Sequence, residues 1–217
     1  MIELSGVCRR YPGGYEVLSG VDLHIARGEK VFLTGRSGAG KSTLLRLIGA
    51  IDRPTRGQVI VGGQNLSKMS RGALPYMRRE IGLVFQDHKL LYDRSALDNV
   101  MLPLLIREMP RADAQRRARA ALDKVGLRER EKAVPVTLSG GEQQRLCIAR
   151  AVVAHPHILL ADEPTANLDE AYARDIMDLF MAFNSTGTTL VIATHDHDLI
   201  ARHGGRHVAL EGGRVSG

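Results

Sequence analysis

Tryptophan is absent, and aromatic residues make up only 4% of the 217 residues. A platform for single-stranded nucleic acid stacks successive bases on aromatic rings, so this sequence has little to build one from. Cysteine is scarce as well. Cys8 and Cys147 lie far apart with no CxxC spacing, which argues against a disulfide framework, structural zinc or dithiol chemistry and points to a reduced, cytosolic compartment. No run approaches the ~20 apolar residues of a membrane-spanning helix. The opening MIELSGVCRR has no apolar stretch of the secretory type, so no signal peptide is expected. Internal repeats and low-complexity tracts are also missing.

What remains is ordinary for a globular chain: 44% hydrophobic and 25% charged residues, in a length that fits one domain with an inserted subdomain. The net charge of +6 fits nucleic acid, an anionic membrane face or a phosphorylated ligand equally well.

Val21, Leu23 and Ile25 alternate with polar residues, as in a half-buried strand. Lys30–Gly35 reads as a short buried strand that ends in glycine, and Lys41–Ala50 as a helix. Val59–Val61, Ile81–Phe85, His157–Ala161, Thr188–Thr194 and Val208–Leu210 are further strand candidates, several apolar enough for a parallel sheet covered on both faces. From about Leu90 to Val153 the apolar spacing turns helical. Ala114, Ala118, Ala121, Leu122 and Val125 share one face, and Arg111, Arg116, Arg117 and Arg119 form a solvated flank. The expectation is an α/β core with a β-rich N-terminal portion and an inserted helical subdomain.

Gly35-Arg36-Ser37-Gly38-Ala39-Gly40-Lys41-Ser42 matches G-x-x-x-x-G-K-[ST], between a predicted strand and a predicted helix. Its glycines let the backbone N–H groups wrap phosphate oxygens, and the helix N-terminus adds partial positive charge. Lys41 is placed for the outer phosphates and the Ser42 hydroxyl for Mg²⁺. Ile158–Glu163 (ILLADE) supplies the matching acids. Asp162 would hold Mg²⁺, and Glu163 would take a proton from the attacking water. Leu138–Gln143 (LSGGEQ) opens a helix and offers a second anion-binding turn, with the Ser139 hydroxyl as a donor. His155/His157 and His195/His197 have no third ligand for a metal, so they read as loop or phosphate-sensing residues.

In this order the phosphate loop, Gln86, LSGGEQ, ILLADE and the ATHD at His195 resemble the signature motifs of the ATP-binding-cassette (ABC) ATPases, and the resemblance spans essentially the whole chain. It implies an ABC nucleotide-binding domain: a P-loop core with a mostly parallel sheet, an N-terminal antiparallel β portion and an inserted α-helical subdomain. One domain over 1–217 follows, with the core at about 1–87 and 154–217 and the subdomain at about 88–153. It also implies ATP and Mg²⁺ as ligands, with Arg36, Ser37, Ala39 and Thr43 completing the phosphate cradle. Tyr11 would stack on adenine, Gln86 would touch Mg²⁺ and report to a partner, and His195 would sense the γ-phosphate. Asp169, in Asn167-Leu168-Asp169, would link two sites. Ser139, Gly140, Gly141 and Gln143 would act on ATP held by the opposite protomer of a homodimer that closes on ATP.

The segment Phe85–Leu91 (FQDHKLL) followed by Asp98-Asn99-Val100 is similar to the cell-division branch of the family. That similarity implies an FtsX-like integral membrane partner, further division proteins, and peripheral placement at the cytoplasmic face of the bacterial inner membrane at the septum. The output would be regulation of peptidoglycan hydrolysis. An ATPase of a lipoprotein-release or small-molecule exporter shares the same chemistry. A DNA-repair or chromosome ATPase would carry long coiled coils that 217 residues do not contain, and a catalytically dead module would not keep Lys41, Asp162, Glu163 and His195 together. No nucleic-acid partner is expected. Leu90 and Tyr92, just after Gln86, are expected to anchor a helix of the membrane partner.

Overall fold

The computed structural model describes residues 1–166 and 168–216. The chain opens with an antiparallel pair, β1 (Ile2–Arg10) and β2 (Glu16–Ile25), before β3 (Lys30–Thr34) and α1 (Lys41–Ile48). Then come β4 (Arg56–Val61), β5 (Gln64–Asn65), α2 (Leu74–Arg79) and β6 (Ile81–Val84). Three helices follow: α3 (Ala96–Ile106), α4 (Arg111–Lys124) and α5 (Gly140–Val152). The chain closes with β7 (Ile158–Asp162), α6 (Glu170–Ser185), β8 (Thr189–Ala193), α7 (His197–His203), β9 (Arg206–Glu211) and β10 (Arg214–Ser216).

Two sheets result. One is antiparallel in the order β2-β1-β4-β5, and the other runs β10-β9-β3-β8-β7-β6. Within the second, β9, β3, β8, β7 and β6 are parallel, and β10 adds an antiparallel edge.

Side chains alternate across a strand, so each parallel strand serves two cores. Phe32, Leu159, Ala161, Leu190 and Ile192 point to the face covered by the helices between β6 and β7 and by α6. Their neighbours Val31, Leu33, Ile158, Leu160, Val191 and Ala193 point to the other face, against α1 and the antiparallel sheet. Burial on both faces is why these segments read as unbroken apolar runs rather than alternating ones.

The helical segment follows its predicted periodicity. Ala114, Ala118, Ala121 and Leu122 of α4 are buried, with Val125 just beyond. Small alanines there let α4 lie close to its neighbours α3 and α5. Arg111, Arg116 and Arg117 are exposed as expected. Arg119 departs from the solvated flank: its guanidinium holds Glu131 at 3.0 Å, tying α4 to the turn that follows it.

Several elements were not assigned from the sequence. In β1, register shifts near Gly6 break the alternation, so only Ile2 and Leu4 show it cleanly. In α6 the buried residues Ile176, Met177 and Phe180 occupy one narrow stripe of a sixteen-residue helix. The short α2, α7 and β10 carry too few residues to show a period.

Candidate active site

The sheet order determines what meets at its upper edge. The neighbouring parallel strands β3, β8, β7 and β6 release the chain at Gly35, at Thr194–His195, at Asp162–Glu163 and at Phe85–Gln86. Ligands of open α/β sheets sit outside these carboxyl ends. A cleft of 630 Å³ lies there, lined by Gly35 through Thr43, Gln86, Asp162, Glu163, Ala166 and His195, with Tyr15 and Val17 at one wall. Segments scattered over 160 residues of sequence thus converge because their strands are adjacent.

Backbone chemistry shapes the floor. A Cβ on Gly35, whose φ is +146°, would strike the Leu210 carbonyl oxygen, so only glycine lets the loop start against β9. Gly40 caps α1 at φ +106°, and a Cβ there would meet Leu18 Cδ2 at 2.8 Å. No side chain caps α1, whereas Ser95, Ser139, Asp169 and Asp196 cap α3, α5, α6 and α7. The first N–H groups of α1 therefore open into the cleft, as an anion site requires.

The charged groups form a chain across it. Lys41 Nζ donates to the Gly35 carbonyl at 2.7 Å and lies 3.6 Å from Glu163 Oε1. Glu163 Oε2 in turn meets His195 Nδ1 at 2.9 Å. The Lys41 and Glu163 side chains are only 9% and 13% exposed, while His195 is 74% exposed at the rim. Glu163 is fixed by its own backbone as well: its N–H donates to the Ala193 carbonyl at 2.9 Å, and its φ of +47° is a left-handed conformation. Non-glycine residues hold that conformation only where their surroundings enforce it, and such sites cluster at functional centres.

Asp162 differs from its neighbour. Burial raises its carboxyl above the usual range, against the Ser42 hydroxyl and Lys41, which favour the ion, and with Glu163 adding like-charge repulsion. Its Oδ1 is buried and has no hydrogen-bond partner among the described residues. An orphaned carboxylate oxygen beside a serine hydroxyl and within the same cleft as Gln86 is a set of hard oxygen donors that fits Mg²⁺. Among the described residues no three His, Cys, Asp or Glu side chains converge as metal ligands. Magnesium here would complete its shell with phosphate oxygens and water, its usual habit.

Other expected site residues lie away from this cleft. Ser139, Gly140, Gly141, Gln143 and Asp169 are not in its wall. Ser139 and Gly140 are exposed, and Ser139 and Glu142 form a reciprocal cap at the start of α5. Gln143 Nε2 turns back to the Leu138 carbonyl at 3.1 Å, and Asp169 caps α6. Tyr11 lies outside the cleft wall too: its hydroxyl donates to Asp52 at 2.9 Å, and the Arg9 guanidinium covers one ring face at 4.6 Å. Tyr15, 68% exposed, is the aromatic in the lining, and no motif singles it out. Leu90 belongs to the helical core, which removes it as a partner anchor, whereas Leu91 and Tyr92 are exposed. Asn167 of the inter-site loop and the side chain of His197 lie outside the described residues.

Comparison with known proteins finds relatives along the whole chain. The family model for the ABC transporter matches residues 18–166. Over 217 residues the chain is 50% identical to the cell division ATP-binding protein FtsE of Escherichia coli strain K12, covering 100% of this chain and 98% of that one. It is 45% identical over 221 residues to the lipoprotein-releasing system ATP-binding protein LolD of Chromohalobacter salexigens, covering 93% of that protein. Among solved structures, the ATP-binding cassette MJ0796, as a dimer in a post-hydrolysis state bound to ADP and Pi, superposes with a TM-score of 0.95 at 38% identity. That match covers 100% of this chain and 97% of the other.

Proposed function

The chain belongs to the ABC transporter family and is an ATPase of that family, and from this premise we propose that it dimerises on ATP and drives an FtsX-like membrane partner in bacterial cell division. The observation that carries the chemistry is the Lys41–Glu163–His195 chain beside an unpartnered Asp162 oxygen in one cleft. What supports the division role is 50% identity to FtsE along nearly the full length of both proteins.

In this reading Lys41 exchanges the Gly35 carbonyl and Glu163 for the β- and γ-phosphates, with Arg36, Ser37, Ala39 and Thr43 lining the cradle. That exchange frees the Glu163 carboxylate to accept a proton from the water that attacks the γ-phosphorus. As the new P–O bond forms, the bond to the β–γ bridging oxygen breaks and ADP leaves with that electron pair. His195 holds Glu163 Oε2 before this and turns to the γ-phosphate when nucleotide is present. Ser42, Asp162 and Gln86 would hold Mg²⁺, which supplies charge neutralisation at the phosphates when bound. Adenine stacks on Tyr11, on the face opposite Arg9.

Ser139, Gly140, Gly141, Gln143 and Asp169 serve the other protomer's nucleotide, so a homodimer holds two shared sites. Residues 1–217 act as one domain, with the core at about 1–87 and 154–217 binding nucleotide and the segment at about 88–153 meeting the partner. Among the described residues no helix is long and apolar enough to cross a membrane. Placement at the cytoplasmic face of the inner membrane, at the septum, therefore rests on the membrane partner. Regulation of septal peptidoglycan hydrolysis, with other division proteins, is the expected output.

Service to a lipoprotein-release or small-molecule exporter is the second reading, favoured by the 45% identity to LolD. Purifying the Glu163→Gln chain from membranes with ATP and identifying what accompanies it separates the two. An FtsX-like protein supports division, and a lipoprotein-releasing membrane subunit overturns it.

A further inference from the structure

The helix α5 does more than carry Ser139–Gly141 at its start. Three of its side chains, Gln144, Cys147 and Arg150, follow one i, i+3 ridge and reach the loops behind Gln86 and Glu163. Arg150 Nη1 donates to the Lys89 carbonyl at 2.7 Å and Nη2 to the His88 carbonyl at 2.7 Å. Cys147 Sγ adds a contact to the His88 carbonyl at 3.4 Å. One turn earlier, buried Gln144 donates to the carbonyl of Pro164, the residue after Glu163, at 2.7 Å.

The loop these groups hold could not keep its shape unaided. His88 and Lys89 are consecutive non-glycine residues at φ +56° and +49°, a left-handed pair that L side chains adopt only under constraint. Farther on, buried Asn99 accepts from the Leu91 N–H at 2.9 Å and donates to the Leu91 carbonyl at 2.9 Å. The loop is therefore fixed at residues 88–89 and at 91, while Gln86 is left exposed to face the cleft.

We infer that Arg150 is a positioning residue for ATP hydrolysis: its two hydrogen bonds set the Gln86 loop against α5, the helix that also holds the Glu163 loop through Gln144. A shift at the Ser139 end of α5 would then reach both loops through one rigid element. The inference rests on the proposed roles of Gln86 and Glu163 in hydrolysis.

The test compares Arg150→Met, Arg150→Lys, Gln86→Ala and the Arg150→Met/Gln86→Ala double variant in the full chain, together with its membrane partner. Turnover, ATP affinity and melting temperature are measured for each. Arg150→Met should lower kcat by about tenfold or more with ATP affinity unchanged, because a small displacement of a positioned group is costly. Arg150→Lys should recover part of that loss, since an ammonium reaches one carbonyl but lacks the planar fork for two. In the double variant the Arg150 change should add little, because it acts through Gln86. Wild-type turnover by Arg150→Met overturns the inference, as does a double variant whose losses multiply. Parallel loss of melting temperature and ATP affinity, with normal kcat and no benefit from lysine, also overturns it and makes Arg150 merely structural. Full activity of Gln86→Ala shows instead that the underlying role of Gln86 is wrong, an outcome distinct from failure of the clamp.

Discussion

Replacing Glu163 by glutamine keeps the shape of the side chain and removes its charge and basicity. In the structure that carboxylate touches Lys41 at 3.6 Å and His195 at 2.9 Å, and it lines the cleft together with Asp162. Loss of a general base removes about 10²–10⁴ in rate, or roughly 3 to 5.5 kcal/mol of transition-state stabilisation. The fold should survive. Lys41 keeps its bond to the Gly35 carbonyl, so the apo protein loses about 1–3 kcal/mol from the broken charged contact. For a chain of this length each kcal/mol lowers Tm by about 2–4 °C. Bound ATP at a hundredfold excess over Kd returns ~2.7 kcal/mol, so the variant's melting temperature should rise with Mg-ATP and stay raised because the nucleotide is not consumed. Phosphate release, thermal shift with and without Mg-ATP, and size-exclusion chromatography for accumulated dimer measure these together. Wild-type phosphate release from Glu163→Gln would refute the assignment of the base.

Further expectations can be checked in the same preparations. Tyr11→Ala should weaken ATP binding by about 1–3 kcal/mol if its free face stacks adenine, whereas Tyr11→Phe should keep the affinity and lose only the Asp52 bond; a loss confined to Tyr15→Ala moves adenine to the aromatic in the cleft wall. Tyr92, 48% exposed, should tolerate alanine with little change in Tm while membrane-partner recruitment in a pull-down falls; a sharp drop in Tm with recruitment intact would make it core. Burial tends to raise the Asp52 carboxyl, but Arg46, Tyr11 and Arg9 outweigh it and hold the group below the usual aspartate range. Its folded value is depressed, so its stabilisation is complete above about pH 4, the unfolded value, and fades as pH falls through the folded value. The Tm advantage of wild type over Asp52→Asn should shrink in that acid range, and an advantage constant with pH would sink the argument. Mixing Ser139→Arg with Lys41→Ala should restore one active shared site from two inactive parents, read as phosphate release; an inactive mixture with confirmed heterodimers would place Ser139 on its own chain's nucleotide.

How much could be read from residues alone varied with the length scale of the cause. The phosphate loop and its strand and helix were legible because the loop's own backbone asks for glycine, at positive φ at positions 35 and 40, although the close approaches to Leu210 and Leu18 that also require it come from distant segments. The buried strands were legible because covering both faces of a sheet leaves apolar runs. Tyr15 was not, since its place in the cleft wall depends on how the antiparallel sheet sits against α1, which no local pattern encodes. Leu90 misled for the same reason: an apolar residue beside a functional loop looks the same in sequence whether it faces a partner or the helical core it joins. Arg150 and Gln144 act through main-chain carbonyls of distant segments, and carbonyls carry no sequence signal.

The dimer proposed above has a rationale in the geometry of one chain. Its cleft offers phosphate donors from the loop, the uncapped start of α1 and Lys41, in one lining with Asp162, Glu163 and His195. A transferring phosphoryl group develops charge on all its equatorial oxygens and needs donors around it. Further donors, Ser139 and the N–H groups of Gly140 and Gly141, stand at an exposed helix start outside the chain's own cleft. The reciprocal Ser139–Glu142 cap pre-orders that turn without using up the serine hydroxyl hydrogen. Glu142, its carboxyl held low by the Ser139 N–H it accepts, stays on its own turn. A turn so ordered and so exposed suits a second nucleotide presented from outside, and a two-fold rotation that brings two such chains together would serve both turns at once.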